Sequence, residues 1–342
     1  MKKTVKLPEN NKLTIVQVIS NYPQAQPLPS VKGGTEKIVY ELTEELVRRG
    51  HEVYLFAASG SRSKAKLIPY PKGLRHEGLA RFVLGRIPEG TDIIHDHSFR
   101  SALGTVNPRI PTVCTVHIPV KRRVRYPVYV SQRARRLLGN NKGLYVYNGI
   151  NPSEYEFSTE KHEYMLFLGR IIRNKGVLQA IQVAEKTGKR LIIAGPVKAP
   201  DFFRREVIPR IRNNPKIQYV GPVGGKVKQK LIKHAECVLF TSLWEEPFGL
   251  VMVESMACGT PVLALRRGSV PEVLSGFPAL ICSTVNEMAV KVRQKKYPSP
   301  HLLRGYVHTR FTNKKMTDSY LRIYHEVLKR KSGNQNVNPV QD

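Results

Sequence analysis

Two glutamates around a predicted helix start carry the strongest chemical signal in the chain. Residues 242–261 read SLWEEPFGLVMVESMACGTP, with Glu246 before the helix and Glu254 within it. The first amides of a helix have free N–H groups that favour an anion such as phosphate. We expect three amides to act in this way, those of Phe248, Gly249 and Leu250. Carboxylates beside an anion site suit a ligand that also carries sugar hydroxyls, although acidic residues that only stabilise the helix dipole explain the spacing equally well.

Two cations carry the second signal. Arg170 and Lys175 follow a strand predicted at 164–168, in the segment GRIIRNKG. Ligands bind beyond the carboxyl ends of the strands in parallel α/β sheets. Together the two cations are able to neutralise a diphosphate leaving group without a metal. In so basic a chain, two solvated surface cations are the simpler interpretation when each is taken alone.

Two weaker signals lie earlier in the chain. Gly33 and Gly34 precede the first helix, where a glycine pair lets backbone amides approach a phosphate and also suits an ordinary turn. His117 follows the strand predicted at 112–116, although a lone histidine is more often structural than catalytic. The segment 95–97, His-Asp-His, permits metal binding by its spacing, but no further ligand is evident, and we expect no metal.

The elements that must position these residues are short apolar runs with helices between them. The runs are dense in Val, Ile and Leu with little polar alternation, which is typical of parallel strands buried on both faces. A helix is predicted at 35–49, with Thr35 able to cap its start and Gly50 able to end it. The predicted strands are 13–19, 53–57, 92–95, 112–116 and 144–147, then 164–168, 190–194, 218–220, 237–241 and 261–265.

The polar segment 148–163 separates the two sets of strands. We therefore expect an α/β fold of two doubly wound, Rossmann-like domains, with the site in the cleft between them. The first domain is predicted at 1–155 and the second at 156–312. A helix at 313–331 follows, and the polar residues 332–342 form a flexible tail.

The charge of the chain restricts its partners. The 56 Lys+Arg against 26 Asp+Glu give +30, which favours polyanions or anionic membranes. Residues 101–150 hold nine Lys+Arg and no Asp or Glu, among them Lys121, Arg122, Arg123 and Arg125. No run approaches the roughly 20 apolar residues of a membrane span, and no signal peptide is recognisable. The four cysteines show no CxxC spacing, which suits a reducing cytoplasm better than zinc or a disulfide frame.

In order along nearly the whole chain, these segments resemble glycosyltransferase family four, whose members are retaining, nucleotide-sugar-dependent enzymes of GT-B fold. The resemblance rests on GGTEKIVYELTEELVRRGHEV at 33–53, His117, VYNGI at 146–150, FLGRIIRNKG at 167–176, LIIAGP at 191–196, YVGPV at 219–223 and EPFGLVMVESMACGTPV at 246–262. The last segment is specific in its full context. The shorter ones are informative together.

The resemblance implies a role for each matched position. Glu254 holds the ribose hydroxyls, and Glu246, with the amides of Phe248 to Leu250, holds the donor sugar and the distal phosphate. Arg170 and Lys175 bind the diphosphate, and no cofactor or metal is implied. The base is cradled by the segments after Ala194 and after Val220, which include Pro196 and Val223. In the first domain, Gly33 and Gly34 shape the loop that closes over the phosphates, His117 faces the reacting sugar, and the final helix crosses back onto this domain.

One departure from the family pattern concerns the acceptor. Relatives often carry a long insertion after the histidine, whereas His117 here is close to Val130 and Ser131. We therefore expect an open acceptor side. The basic residues Arg122, Arg123 and Arg125 favour an anionic acceptor or one on an anionic surface, such as a lipid-linked intermediate, a cell-wall polymer or the inner membrane face. A general basic bias that keeps the protein soluble is the competing interpretation.

The sequence thus predicts a metal-independent transferase that moves a hexose from a nucleotide sugar, with UDP as the commonest carrier in similar enzymes. Two alternatives stay open. A basic nucleic-acid-binding or DNA-modifying protein would explain the charge, but not Glu246 and Glu254. A sugar-nucleotide epimerase on the same scaffold would need no acceptor.

Overall fold

Runs of Val, Ile and Leu form the centre of two all-parallel sheets. The computed structural model describes residues 12–22, 33–106, 108–118, 120 and 122–333. Every residue of the strand Thr112–Val116 is buried, as is every residue of Ala235–Phe240. Such strands must be covered on both faces by helices. The predicted α/β class with two doubly wound sets of strands is confirmed.

Thirteen strands are described. They are β1 (Thr14–Val18), β2 (Glu52–Ala58), β3 (Lys66–Tyr70), β4 (Ile93–Asp96), β5 (Thr112–Val116), β6 (Tyr126–Tyr129), β7 (Leu144–Tyr145), β8 (His162–Leu168), β9 (Arg190–Ala194), β10 (Ile217–Tyr219), β11 (Ala235–Phe240), β12 (Val262–Leu265) and β13 (Ile281–Cys282). The first sheet has the order β3-β2-β1-β4-β5-β6-β7 and the second β10-β9-β8-β11-β12-β13.

Twelve α-helices are described, besides short 3-10 and π-helical segments. They are α1 (Gly34–Arg48), α2 (His76–Leu84), α3 (Gln132–Leu138), α4 (Val177–Thr187), α5 (Pro200–Phe202), α6 (Ile208–Arg212), α7 (Gly225–His234), α8 (Leu250–Ala257), α9 (Val270–Val273), α10 (Val285–Gln294), α11 (Pro300–Arg310) and α12 (Asn313–Gly333). No described helix has the length and apolar character needed to cross a membrane.

The chain divides into two units, one for each sheet. Of the described residues, the first unit contains those up to 130, those at 135–149 and those from 313 onwards, and the second contains 131–134 and 150–312. The division between the sheets falls before the predicted boundary at 155. Helix α12 extends to Gly333, beyond the end predicted at 331, while Lys121 and the rest of the tail, 334–342, lie outside the described residues.

Helix α1 shows how the sequence forms the first unit. Its stripe of Ile38, Leu42 and Leu46 is fully buried. Gly50 follows the helix with φ +84°, as expected for a glycine that ends a helix. The expected cap at Thr35 is wrong, because the helix already begins at Gly34 and Gly33 occupies the cap position.

Helix α12 belongs to the first unit although it ends the described chain. Arg49 at the end of α1 donates to Asp318 across 2.5 Å and to the carbonyl of Lys314 across 3.0 Å. The side chains of Tyr320 and Tyr324 are fully buried. Burying aromatic side chains removes a large apolar area from water, so α12 is part of the core of this unit.

Candidate active site

Glu246 lies in the turn between β11 and α8, at the carboxyl edge of the second sheet. One of its oxygens, Oε2, receives three donors: an ion pair with Lys175 Nζ, a bond of 3.1 Å from Trp244 Nε1 and a bond of 3.4 Å from Ser242 Oγ. The side chains of Lys175 and Glu246 are only 18% and 14% exposed. Two residues that the sequence predicts for the donor site are therefore in direct contact.

A glycine at position 176 allows the contact between Lys175 and Glu246. Gly176, next to Lys175, has φ +75°, and a Cβ there would lie 1.8 Å from the carbonyl oxygen of Thr241. Leu243 N also donates to Asn174 O across 2.9 Å. The loop after β8 therefore packs backbone to backbone against the turn after β11, and any side chain at 176 would force the two apart.

Helix α8 begins at Leu250, the last of the three residues whose amides were expected to face an anion. Gly249 has φ +79° and occupies the cap position, where a Cβ would lie 2.7 Å from Met252 Cε. Phe248 is 2% exposed, with its ring 5.8 Å from that of Phe311. Burial of this ring fixes the position of the chain before the helix. Gly249, with its left-handed backbone conformation, then turns the chain into the helix. The early helix amides accordingly begin after Phe248, with Leu250 as the first helical residue.

Glu254 lies within α8 and is 5% exposed. Lys228 Nζ lies 2.6 Å from its Oε2, and Tyr155 OH donates to its Oε1 across 3.1 Å. Arg304 donates to the carbonyls of Tyr155 and Ala257 across 3.0 and 2.8 Å, which fixes the tyrosine segment to the end of α8. The carboxylate thus has neighbours from two parts of the second unit, Lys228 of α7 and Tyr155, and Arg304 fixes the tyrosine segment in place.

Arg170, Pro196 and Val223 belong to three loops of the second unit. Ile171 N donates to Pro196 O across 2.9 Å, which joins the loops after β8 and β9. Gly195 N donates to Gly221 O across 2.8 Å, which adds the loop after β10. The Arg170 side chain is exposed and forms no ion pair with a described residue. The structure thus brings these loops to the same edge of the sheet, while the Arg170 guanidinium is free to meet a ligand.

Gly33 and Gly34 lie at the start of α1 in the first unit. A Cβ at Gly33 would lie 1.8 Å from Glu36 Oε2, so a side chain here would require the flexible end of Glu36 to move. Burial raises the pKa of the Glu36 carboxyl, with a smaller opposing effect from its own backbone amide.

His117 follows β5 and lines a cavity of about 130 Å³ in the first unit, together with Glu36, His97 and Arg100. Its buried Nε2 has no hydrogen-bond partner among the described residues, and neither does Nδ1 of His97. Burial lowers the pKa of His117 to about 4 and that of His97 well below its usual range. Both rings are therefore neutral at neutral pH, and each offers a nitrogen to a ligand.

The remaining residues of the segment 95–97 are used inside the fold. His95 pairs through one ring nitrogen with Tyr324 OH at 2.6 Å and through the other with Thr115 Oγ1 at 2.7 Å. The Asp96 carboxylate accepts from the backbone amides of residues 98, 103 and 104 across 2.8, 2.9 and 2.9 Å. These side chains hold β4 against its neighbours.

The basic segment separates into exposed and paired residues. Arg122, Arg123 and Arg125 are exposed, and the Arg125 guanidinium lies 5.3 Å from the ring centroid of Tyr126. Arg133, by contrast, donates to Glu245 Oε2 across 2.8 Å within the second unit. Arg122, Arg123 and Arg125 therefore lie together on an exposed basic stretch of the first unit.

Sequence reasoning missed Trp244, Ser242, Lys228 and Tyr155. Trp244 is the sole tryptophan of the chain and lies two positions before Glu246, which was a usable signal. No signal in the sequence pointed to Lys228, because α7 carries several lysines and only the packing shows which of them contacts a carboxylate.

Two family models match consecutive parts of the chain. The model for Glycosyl transferases group 1 matches residues 153–292, and the model for Glycosyltransferase Family 4 matches residues 32–154. Together they span residues 32–292, more than half of the chain. The protein is therefore a glycosyltransferase of GT-B fold. It belongs to glycosyltransferase family four.

Curated relatives agree with this assignment. An uncharacterised glycosyltransferase of Methanocaldococcus jannaschii is 30% identical over 148 residues, which cover 38% of this chain and 37% of that protein. The N-acetyl-alpha-D-glucosaminyl L-malate synthase of Bacillus anthracis is 23% identical, covering 88% of this chain and 96% of the relative. Neither similarity favours the nucleic-acid-binding or epimerase alternatives.

Solved structures show the same fold. AviGT4, a glycosyltransferase involved in avilamycin A biosynthesis, superimposes with a TM-score of 0.77 at 25% identity, covering 93% of this chain and 98% of its own. Anabaena HepE in complex with UDP and glucose superimposes with a TM-score of 0.74 at 16% identity, covering 91% and 99%. HepE has also been solved in complex with UDP-glucose, a nucleotide sugar.

Proposed function

We propose that this glycosyltransferase moves a hexose from a UDP-sugar to an anionic acceptor with retention of anomeric configuration and without a metal. The observation that carries the proposal is the contact of Lys175 with Glu246 at the carboxyl edge of the second sheet. It sets a cation for phosphate beside a carboxylate for sugar hydroxyls, which is the combination that a nucleotide-sugar ligand requires.

The proposed reaction assigns charge stabilisation to the second unit. The bond between the anomeric carbon and the phosphate oxygen breaks, and a bond to the acceptor oxygen forms on the same face. The acceptor proton goes to the leaving phosphate. Arg170 and Lys175 offset the charge of the departing diphosphate, which is the role that a metal ion would otherwise fill. Positioning and electrostatics then supply the catalysis, and Glu246 has no nucleophilic role.

The UDP donor is supported by the HepE complexes, which share the fold, and by the small loops around Pro196 and Val223 that offer backbone groups to a base. Glu254 is proposed to accept hydrogen bonds from the ribose hydroxyls. In the first unit, Gly33 and Gly34 serve a phosphate loop, and the neutral ring of His117 accepts a hydrogen bond from a sugar or acceptor hydroxyl.

The anionic acceptor is supported by the exposed arginines Arg122, Arg123 and Arg125. The name of the Bacillus anthracis relative contains L-malate, a dicarboxylate, which is consistent with an anion on the acceptor side of a related enzyme. We place the reaction in the cytoplasm, with peripheral contact at the inner membrane face. The four free and buried cysteines support a reducing compartment, and the basic surface supports the membrane contact.

The test is a thermal-shift screen with UDP, GDP, ADP and TDP and their glucose conjugates, with EDTA present. A ligand at about 100 times its Kd stabilises the folded state by roughly 2.7 kcal/mol. We expect UDP and its sugars to raise the melting temperature and Glu254→Ala to abolish the shift. The anomeric configuration of the product, read by NMR, then tests retention. A screen in which no nucleotide stabilises the protein would contradict the donor site.

A further inference from the structure

Glu254 receives a hydrogen bond on each carboxylate oxygen, from Lys228 at 2.6 Å and from Tyr155 at 3.1 Å. The carboxylate side chain is 6% exposed and that of Lys228 is 20% exposed. A carboxylate this deeply buried needs compensation, because an unpaired buried charge is strongly destabilising. The lysine supplies that compensation.

Lys228 also has donors to spare. An ammonium carries three N–H groups, and Glu254 accepts one of them. The described residues offer no second acceptor to this side chain. Lys228 lies in the first turn of α7, directly after the loop that contains Val223. Its remaining N–H groups thus lie beside the Glu254 carboxylate, on a helix that follows the loop assigned to the base in the proposed function.

We propose that Lys228 recognises the ribose of the donor together with Glu254. A ribose hydroxyl is both a donor and an acceptor, so it is fully satisfied only by a site that offers both functions. Glu254 accepts a hydrogen bond from the hydroxyl, and Lys228 donates a hydrogen bond to the hydroxyl oxygen. Rejection of deoxyribose follows, since the lysine loses its second partner when the hydroxyl is missing. This inference rests on the proposed donor site and adds a residue to it.

Two other lysines of α7 are suitable controls. Lys226 and Lys230 are exposed on the same helix, and neither forms an ion pair with a described residue. A general electrostatic effect of α7 on a diphosphate would depend on all three lysines to a similar degree. Ribose recognition depends on Lys228 alone.

The experiment measures the Kd of UDP, 2′-deoxy-UDP and 3′-deoxy-UDP by calorimetry. We expect the wild-type protein to bind UDP at least about tenfold more tightly than one of the deoxy analogues. Lys228→Met is expected to reduce this ratio to below about threefold, and Lys230→Met to leave it unchanged. Equal weakening of UDP and its analogue by Lys228→Met would overturn the inference.

A second comparison covers the case in which Lys228→Met fails to fold. The double variant Lys228→Met/Glu254→Gln carries no uncompensated charge, and its ratio is compared with that of Glu254→Gln alone. We expect the single variant to keep part of the ribose preference and the double variant to lose it. Equal ratios in the two variants would overturn the role of Lys228 while leaving the donor site intact. A wild-type protein that binds no nucleotide would reject both.

Discussion

Lys175 and Glu246 are ion-paired at the carboxyl edge of the second sheet, so two groups proposed for different parts of one ligand neutralise each other in the free protein. Trp244 and Ser242 donate to the same carboxylate oxygen. A nucleotide sugar bound as proposed would separate the pair, because its diphosphate would attract the lysine and its sugar hydroxyls would need the glutamate. The sugar and the diphosphate are therefore expected to bind cooperatively.

Glu246→Gln tests this competition. The substitution keeps the shape of the side chain but removes its charge, which releases Lys175 to a phosphate. We expect the affinity for free UDP to rise by about two- to tenfold and the rate of sugar transfer to fall by at least about 100-fold. Calorimetry with UDP and initial rates with the UDP-sugar measure the two effects. A loss of UDP affinity would show that the pair does not restrain the lysine.

The fluorescence of Trp244 reports the same event, since this is the sole tryptophan of the sequence. Its indole N–H lies 3.1 Å from the Glu246 carboxylate. We expect a UDP-sugar to change its emission more than UDP does, because the sugar competes directly for that carboxylate. In the Glu246→Gln variant the two ligands should give the same change.

Gly176→Ala tests the backbone contact that brings Lys175 to Glu246. The new Cβ would lie 1.8 Å from Thr241 O, in a conformation with φ +75° that side chains rarely adopt. Gly188→Ala is a matched control, since Gly188 has φ +65° but no atom within 4 Å of its Cβ position. We expect the control to lose about 1 kcal/mol of unfolding free energy. Gly176→Ala should lose at least about 2 kcal/mol more.

Denaturant unfolding followed by circular dichroism measures this difference. Equal losses in the two glycine variants would mean that the loop after β8 moves away without cost. Donor affinity measured on any Gly176→Ala protein that folds should also fall, because Lys175 is displaced with the loop.

The sequence predicted the sheets better than the contacts between their loops. Strands such as β5 and β9 have the predicted bounds because residues buried on both faces form continuous apolar runs. The pattern gives no such signal for β3 or β6, which are only partly buried and each contain a proline. Pro69 is tolerated because β3 is an edge strand.

The site shows the same limit. Arg170, Lys175 and Glu246 were all predicted to follow strands, and strand ends of a parallel sheet share one edge. The pairing of Lys175 with Glu246 depends on the close approach of Gly176 to Thr241, which joins residues distant in sequence. The start of α8 at Leu250, two residues after Phe248, is set by burial of the Phe248 ring, which is a tertiary effect that the sequence pattern does not show. The roles of these residues stay predictions.

The buried histidines of the first unit predict acid sensitivity. Burial lowers the pKa of His117 from 6.5 to about 4, so the unfolded chain binds its proton first as the pH falls. The neutral His117 therefore lowers the free energy of unfolding by nothing above about pH 6.5. As the pH falls from about 6.5 towards about 4, the free energy of unfolding falls by up to about 3 kcal/mol in total. His95 and His97, whose pKa values burial lowers in the same direction, add to the loss.

Urea unfolding between pH 4 and pH 7 checks this prediction. His117→Gln should flatten the dependence in the window between about pH 4 and pH 6.5. The matched control, His308→Gln, replaces an exposed histidine of the second unit and should leave the slope unchanged. A stability that does not change across this window would contradict a histidine that is buried in its neutral form.

The exposed arginines provide a test that distinguishes acceptor binding from donor binding. Replacing Arg122, Arg123 and Arg125 together by Gln removes three positive charges from the surface of the first unit, far in sequence from the proposed donor loops. We expect the KM for an anionic acceptor to rise by about tenfold or more, since each lost charge-assisted contact weakens acceptor binding. Hydrolysis of the UDP-sugar in the absence of acceptor should be unchanged, because Arg170, Lys175 and Glu246 are intact.

The control replaces Lys226 and Lys230 by Gln and should alter neither quantity. An unchanged KM in the arginine variant would assign the basic segment to solubility, and the loss of donor hydrolysis would assign it to the donor instead.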